Sequence, residues 1–549
     1  MNIRQQAERI LKYGQPQTIN TPLGVRVVRR ALANPKFWLF FHEHATAIKQ
    51  EGLTFRPDQR GQWWVTEWTV PGCSVLDTQA LLPEHIRSLL FEYQRPSAAQ
   101  LLDGLTKRQF MADLSDAGTG KTPVSCAVGA ARGKPISVVC AKYARKQWEW
   151  MARHFNCTVQ GIHHWEIVRM GKTDLGQFVT EKVQLKTKEK EIQVFRWNPE
   201  IRKTNGLLII DEIHNCGGID TLNSLMAIHT RRSGIATLGL SATAADTPAR
   251  MQALAYLFRF IHDPGYFYAW AHRHNVKKGK YGLSFGNPTD PDVHAMRART
   301  MKDLHHQIFS NGLAVRIRKA DIPGFPQNQV VVDGIDCGGA ETKIEAEYQT
   351  IAHTLELMAA RAIKASDAKQ RISHARQTIE LLKIPTTVEI VKDLIDEGFQ
   401  VPIFVQYRAT ALALGKALKV PIMIGAQAEK ERYKVMSDFQ GTADERPDYL
   451  AVPSTYGAGS ESINLQDEFG WAPRCAILFP HGRAQYIIQA ANRIWRATSK
   501  SRSIQRFLYA YGTIEEKTME NMRHRMFQMD MLNDGEAIPL PYAVDTDEG

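Results

Sequence analysis

The chain is expected to fold as an α/β protein with two parallel-sheet lobes, and three features of its sequence lead there. From residue 109 onward short apolar runs alternate with stretches of helical periodicity, the pattern of parallel sheets covered by helices. These runs fall into two series on either side of a long helix-like segment. In the first series, a glycine-rich turn and a pair of carboxylates follow two of the runs, at strand ends where open α/β sheets bind ligands.

Residues 1–90 read as a separate, small N-terminal accessory module. Within it, Gly52-Leu53-Thr54-Phe55-Arg56-Pro57 and Gly61-Gln62-Trp63-Trp64-Val65-Thr66 alternate like the two arms of a hairpin. The tryptophans near Arg56 and Arg60 either stack on bases or fill a small core. The first lobe is placed at residues 91–325, with strands expected at QFMADLS, ISVVC (136–140), LLIID (207–211) and TLGLSA (237–242). The second is placed at 326–525, with strands at PIFVQ from Pro402, YLAVPS from Tyr449, CAILFP from Cys475 and IQRFLYA from Ile504.

Residues 341–382, rich in Ala, Glu, Lys and Gln and free of Pro after Glu341, are expected to be helical and to bridge the lobes. Residues 172–203 and 260–321 read as insertions. The lysines of the first, and Lys277, Lys278 and Lys280 of the second, offer groups to nucleic acid or form solvated charged loops. Residues 526–549 are expected to be a loose acidic tail.

Composition narrows the classes. A chain of 549 residues with 44% hydrophobic and 23% charged side chains has room for two or three cores and is not largely disordered. A formal net charge of +12 favours a polyanionic partner such as nucleic acid. The seven cysteines include no Cys-x-x-Cys pair, so neither a disulfide framework nor a zinc site is expected. That usage fits a reducing intracellular compartment, the cytoplasm or nucleoid, or a nucleus. No apolar run is long enough to span a bilayer and the N-terminus lacks an apolar signal core, so no membrane partner is expected.

The chemistry concentrates in a few motifs. Asp116-Ala117-Gly118-Thr119-Gly120-Lys121-Thr122 is a glycine-rich turn whose backbone N–H groups close around a β-phosphate. Lys121 then reaches the β and γ oxygens, and the Thr122 hydroxyl ligates Mg²⁺. Its first position, usually Gly or Ala, holds Ser115. Asp211-Glu212-Ile213-His214 follows an apolar run, with Asp211 placed for the same metal through its water shell and Glu212 for orienting an attacking water. In Gln489-Ala490-Ala491-Asn492-Arg493-Ile494-Trp495-Arg496, Arg493 and Arg496 stand three apart, expected on one helical face and able to reach across a cleft to γ-phosphate charge.

The order of GTGKT, DEIH, Ser241-Ala242-Thr243 and Gln-x-x-x-Arg-x-x-Arg resembles superfamily-two helicases. Finer features resemble the Snf branch of double-stranded DNA translocases: Trp148 in CAKYARKQWEWMARHF, residues 315–336, residues 424–440, and GAGSESINLQ at 457–466. KIPTTVEIVKDLIDEGFQVPIFVQY and the Trp-rich N-terminal module look closest to the HARP-like annealing-helicase subgroup and to compact viral or bacterial relatives. The likeness spans about residues 90–525.

That resemblance implies two tandem RecA-like lobes with helical insertions, using ATP and Mg²⁺. It makes Gln94 the adenine reader, with Gln100 second, and places Gly118, Thr119, Gly120, Lys121 and Thr122 on the nucleotide. Glu212, Lys121, Gln489, Arg493 and Arg496 would be catalytic, while Ser241 and Thr243 would couple hydrolysis to lobe movement. Lys142, Ser454, Thr455 and Asn464 would lie near a DNA backbone. The implied function is an ATP-dependent translocase on duplex, forked or branched DNA, remodelling, regressing or annealing it. Alternatives are a superfamily-two RNA helicase, or a nucleic-acid scaffold without motor activity. The chain departs from the family at Ser-Ala-Thr, where Thr-Gly-Thr-Pro is usual, at Cys140, where Pro is usual, and after Arg493, where Ile-Trp-Arg-Ala replaces a histidine-containing run.

Overall fold

A computed structural model describes residues 7, 11, 16–21, 24–32, 53–57, 63–67, 81–184, 189–242, 244–279, 282–286, 290–459, 464–481 and 484–534. Residues 1–82 with 310–312 form one compact unit, and 83–309 with 313–549 another.

In the smaller unit, β1 (Pro16–Thr21), β2 (Gly24–Leu32), β3 (Leu53–Pro57) and β4 (Trp63–Glu67) pair antiparallel in the order β1-β2-β4-β3. The expected hairpin is β3 with β4, and its register sets Arg56 opposite Trp64.

The larger unit holds both lobes. Its first sheet takes β5 (Phe110–Asp113), β6 (Ile136–Cys140) and β7 (Val159–His164) before a hairpin of β8 (Gly176–Gln184) and β9 (Glu189–Trp197). The chain returns through β10 (Leu207–Ile210) and β11 (Ala236–Leu240), forms a second hairpin of β12 (Lys277–Gly279) and β13 (Gly282–Ser284), and adds β14 (Ala314–Val315). The order is β14-β5-β11-β10-β6-β7 and every pairing is parallel. Residues 260–321 are therefore not wholly an insertion, because Ala314 and Val315 complete this sheet beside β5.

The second sheet joins β15 (Asn328–Ile335), β16 (Val401–Val405), β17 (Ala451–Thr455), β18 (Arg474–Leu478) and β19 (Ser503–Ala510) in the order β15-β19-β18-β16-β17, again all parallel. The sequence makes the central strands β16 and β18 as continuous, mostly apolar runs because they are buried on both faces. In β16, Ile403 and Val405 enter one core cluster and Phe404 the opposite one; in β18, Ile477 and Leu478 divide the same way. This is the two-residue period of a pleated strand.

Two expectations fail here. Residues 341–382 form two helices, Glu341–Ala359 and Ala365–Leu382, broken where Arg361 adopts a φ of 57°. They do not bridge the lobes: Ile344, Ile351, Ala375 and Ile379 bury themselves in the core of the second. Residues 526–534 are no loose tail, since the helix Glu515–Asp534 runs through them and Met531 and Leu532 enter the core of the first lobe. Apolar burial there outweighs the acidic character of the segment; residues 535–549 lie outside those described.

Candidate active site between the lobes

Strand order gathers the motifs. Because β11 lies between β5 and β10, the turn after β5, Ser241 after β11 and Asp211 after β10 meet along one sheet edge. The glycine-rich turn runs into the helix Lys121–Arg132, with Gly118 at φ 85° and Gly120 at φ 96°. Both values lie in the left-handed region where a side chain is penalised. Lys121 Nζ donates to the carbonyls of Ser115 (2.8 Å) and Asp116 (3.0 Å), and the Thr119 hydroxyl donates to Asp116 (2.8 Å), so the turn folds into a cradle around its own lysine. Burial holds the lysine below its ordinary pKa, opposed by the charges of Asp113, Glu212, Asp116 and Asp211.

The unusual Ser115 has a local reason. Its hydroxyl accepts the Ile317 N–H at 2.9 Å, tying the turn to the segment after β14. A Gly or Ala at this position has no such acceptor.

Gln94 is buried against the cradle. Its Nε2 donates to the Thr119 carbonyl (2.9 Å), its Oε1 accepts the Phe91 N–H (3.1 Å), and a Cβ on Gly120 would collide with its amide. Gln100, the second candidate, is exposed on the helix Arg95–Lys107.

Asp211 and Glu212 are adjacent carboxylates with opposite shifts. Burial first, then the Glu212 charge, pushes Asp211 up to about 6. Glu212 is also raised by burial, but hydrogen bonding to His214, with the charges of His214, Lys121 and Arg493, leaves it below the usual range. The backbone presents the pair: Glu212 sits at φ 54°, an unusual value for a non-glycine residue, which turns it out of the strand direction. His214 Nδ1 lies 3.1 Å from Glu212 Oε2 and 3.0 Å from Ser241 Oγ, joining two motifs through one ring. The sequence marked Ser241 and Glu212 separately and gave no sign that His214 connects them. Thr243 lies outside the described residues.

Trp148, noticed in the sequence only through family likeness, is fully buried on the helix Arg145–His154, and its indole N–H donates to Asp211 Oδ2 at 3.0 Å. Thr122 follows Lys121 in the first turn of its helix.

From the second lobe come the arginines, in an unexpected conformation. The helix carrying half-buried Gln489 ends at Ala491, so Arg493 and Arg496 share no helical face. Tertiary bonds take over: the Arg493 carbonyl accepts the Leu465 N–H (3.1 Å), buried Ile494 points into the core, and the Arg496 N–H donates to Ser499 Oγ (3.1 Å). Both side chains still reach the first lobe. A Cβ on Gly118 would lie 3.1 Å from Arg496 Cγ, and the Arg493 charge is felt by Glu212. Burial, with the Arg493 charge, lowers Arg496 to about 9.

The residues expected along a nucleic-acid backbone divide. Lys142 is exposed in the turn after β6 and Thr455 is half-buried at the end of β17. Ser454 departs from expectation: it is fully buried and its hydroxyl bonds the Thr455 carbonyl (3.3 Å), because it faces the sheet interior. Asn464 is half-buried and its carbonyl accepts Gln440 Nε2 at 2.7 Å. Among the described residues the cysteines are free, no cluster of His, Cys, Asp and Glu suits a metal, and no helix is long and apolar enough to cross a membrane.

No family model matches the chain. A curated protein of Acanthamoeba polyphaga mimivirus named "Putative ATP-dependent RNA helicase L364" is 24% identical over 491 residues, covering 85% of this chain and 88% of its own. Among solved structures, the Sulfolobus solfataricus SWI2/SNF2 ATPase core in complex with dsDNA is 15% identical with a TM-score of 0.29, covering 81% of this chain and 93% of that one. Saccharomyces cerevisiae Dbp5 bound to RNA and ADP BeF3 is 12% identical with a TM-score of 0.44, covering 82% and 93%. At these TM-scores the functional reading rests on the residues.

Proposed function

We propose that the chain is an ATP-driven nucleic-acid motor of the superfamily-two helicase type, translocating on duplex or branched DNA. One observation carries this reading. Arg496 of the second lobe lies against Gly118 of the phosphate turn, while Glu212 of the first feels the charges of Lys121 and Arg493 and is joined to buried Ser241 through His214. A nucleotide held there would contact both lobes, so its hydrolysis state would set how the lobes sit.

The cradle fits a triphosphate. Turn amides and Lys121 would bind the β and γ phosphates, Gln94 would place the base beside Gly120, and Glu212, kept ionised by His214, would accept a proton from water. Arg496, with Arg493, would take the charge that grows on the γ-phosphate. Because Ser241 and Glu212 share His214, a shift at one would be felt at the other.

The donor set also fits Mg²⁺: a hydroxyl from Thr122 and a carboxylate from Asp211 are hard oxygen ligands. The raised pKa of Asp211 marks a buried acid that a cation would relieve. When bound, the ion would neutralise phosphate charge, and Trp148 would hold the Asp211 carboxylate in orientation. Trp148→Phe keeps the ring and loses the N–H. It is expected to raise the Mg²⁺ concentration for half-maximal hydrolysis about 10-fold, as outer partners of metal ligands commonly do. An unchanged Mg²⁺ dependence would make the contact incidental.

The +12 charge and exposed Lys142 support a nucleic-acid track read through its backbone. The deciding experiment compares steady-state ATP hydrolysis with duplex DNA, forked DNA, four-way junctions, single strands and RNA. Greatest stimulation by duplex or branched DNA is expected. The viral relative's name favours RNA as a second reading, which stronger stimulation by RNA would establish. Affinity is also expected to fall steeply with salt, with a slope of log affinity against log salt near −0.9 per phosphate contacted on duplex DNA. A flat response would separate the charge from nucleic acid.

A further inference from the structure

The phosphate turn is held from behind by charges that trace back to the second lobe. The helix Glu515–Asp534 has 20 residues and so extends about 30 Å. It is rooted in the second lobe, where Glu515 accepts two bonds from Lys383 Nζ (2.9 Å each) and one from the Ala510 N–H (2.8 Å), and where Met519 and Met522 are core residues. It finishes on the first. Leu532 is buried there and its carbonyl bonds the His305 ring (3.0 Å), Asn533 Nδ2 donates to the carbonyl of Ala242 beside Ser241 (3.0 Å), and Asp534 accepts Arg316 through both Nε (2.5 Å) and Nη2 (2.7 Å).

Arg316 passes this contact forward. Its Nη2 also donates to Asp116 Oδ1 (2.9 Å) and its Nη1 to the Leu114 carbonyl (2.5 Å), so it braces both ends of the approach to the cradle. The second Asp116 oxygen accepts the Lys319 N–H (2.9 Å), while Lys319 Nζ bonds Asn492 and the Trp495 carbonyl beside the two arginines. The Asp116 carbonyl is one of the two that hold Lys121. The Asp534 side chain is 0% exposed and that of Arg316 9%, and the Arg316 guanidinium is shared between the carboxylates of Asp534 and Asp116. Removing Asp534 would take from the buried Arg316 the bidentate pair that orients it and leave Asp116 as its carboxylate partner, while removing Arg316 would leave Asp534 buried without its guanidinium.

We propose that Asp534 and Arg316 are positioning residues for nucleotide: the end of the C-terminal helix fixes Arg316, Arg316 fixes Asp116, and Asp116 shapes the cradle. Nucleotide affinity in the first lobe then depends on a helix rooted in the second. Coupling of this kind is reciprocal, so nucleotide also steadies the helix end. The proposal rests on the cradle being a nucleotide site.

The test uses the full chain and a fluorescent ADP analogue. Asp534→Ala is expected to weaken ADP binding about 5-fold or more, within the usual range of coupling between sites. Asp534→Asn, which keeps the size and removes the charge, should weaken it less and serves if the alanine variant does not fold. Asp116→Asn should weaken it too, and the double variant Asp534→Ala with Asp116→Asn should bind no worse than the poorer single, because both act through Arg316. ADP should also slow amide exchange in residues 526–534 of the wild type and leave it unchanged in Asp116→Asn. Unaltered ADP binding by folded Asp534 variants overturns the proposal, as does a double variant in which the two losses multiply. A wild type that binds no ADP overturns the nucleotide reading itself; a wild type that binds ADP, beside Asp534 variants that bind it equally well, removes the positioning role alone.

Discussion

Arg496→Ala is expected to retain nucleotide binding and lose hydrolysis by about 10³-fold or more, the scale of an arginine acting on transition-state charge. The first lobe supplies the phosphate turn, Lys121 and the acidic pair, so the binding contacts survive. What disappears is the guanidinium of a residue whose aliphatic stem lies against Gly118. Its burial, which lowers its pKa to about 9, still leaves it charged at neutral pH. Arg493→Ala should behave similarly or more mildly, since its charge reaches Glu212 from the same side. Measuring the nucleotide dissociation constant beside kcat separates the two effects. Hydrolysis at the wild-type rate in Arg496→Ala would detach the second lobe from the chemistry and end the motor reading.

The second large effect is at Lys121. Lys121→Ala should abolish ATP turnover while nucleic-acid affinity stays close to wild type, because its ammonium sits among the Ser115 and Asp116 carbonyls inside the cradle. Removing it also takes away a cation that the Asp113, Glu212 and Asp211 charges sense. Turnover near the wild-type rate in a purified sample would sink the assignment of the turn. Loss of nucleic-acid binding together with turnover would show instead that the substitution disturbs the fold.

Strands β6, β10, β16 and β18 were legible because each is a short, mostly apolar run buried on both faces, a signal that needs no knowledge of partners, whereas the half-exposed β7 gave none. Leu207–Ile210 and Val401–Val405 declare themselves in this way. The cradle was legible because Gly118, Gly120 and Lys121 are neighbours in the chain, as are Asp211 and Glu212. What escaped were contacts between distant residues. Trp148 meets Asp211 across 63 positions, His214 meets Ser241 across 27, and Asp534 meets Arg316 across 218. A tryptophan that bonds a carboxylate looks in sequence like any core tryptophan. The break at Arg361 was hidden too, since no Pro or Gly announces it. At Arg493 and Arg496 the three-residue spacing suggests a helical face that the chain does not form, because the Leu465 N–H on the Arg493 carbonyl and the Arg496 N–H on Ser499 outweigh helical periodicity.

Met531 and Leu532 complete the core of a lobe whose own sheet closes with Val315, more than two hundred residues earlier. During synthesis at roughly 5–20 residues per second, the first lobe therefore waits about 10–40 s for its last apolar side chains. In that interval the surface meant for Leu532 is open to water and to other nascent chains. A gene fragment ending after β14 would leave it open permanently, so the two lobes are expected to express well together and the first to aggregate when made alone.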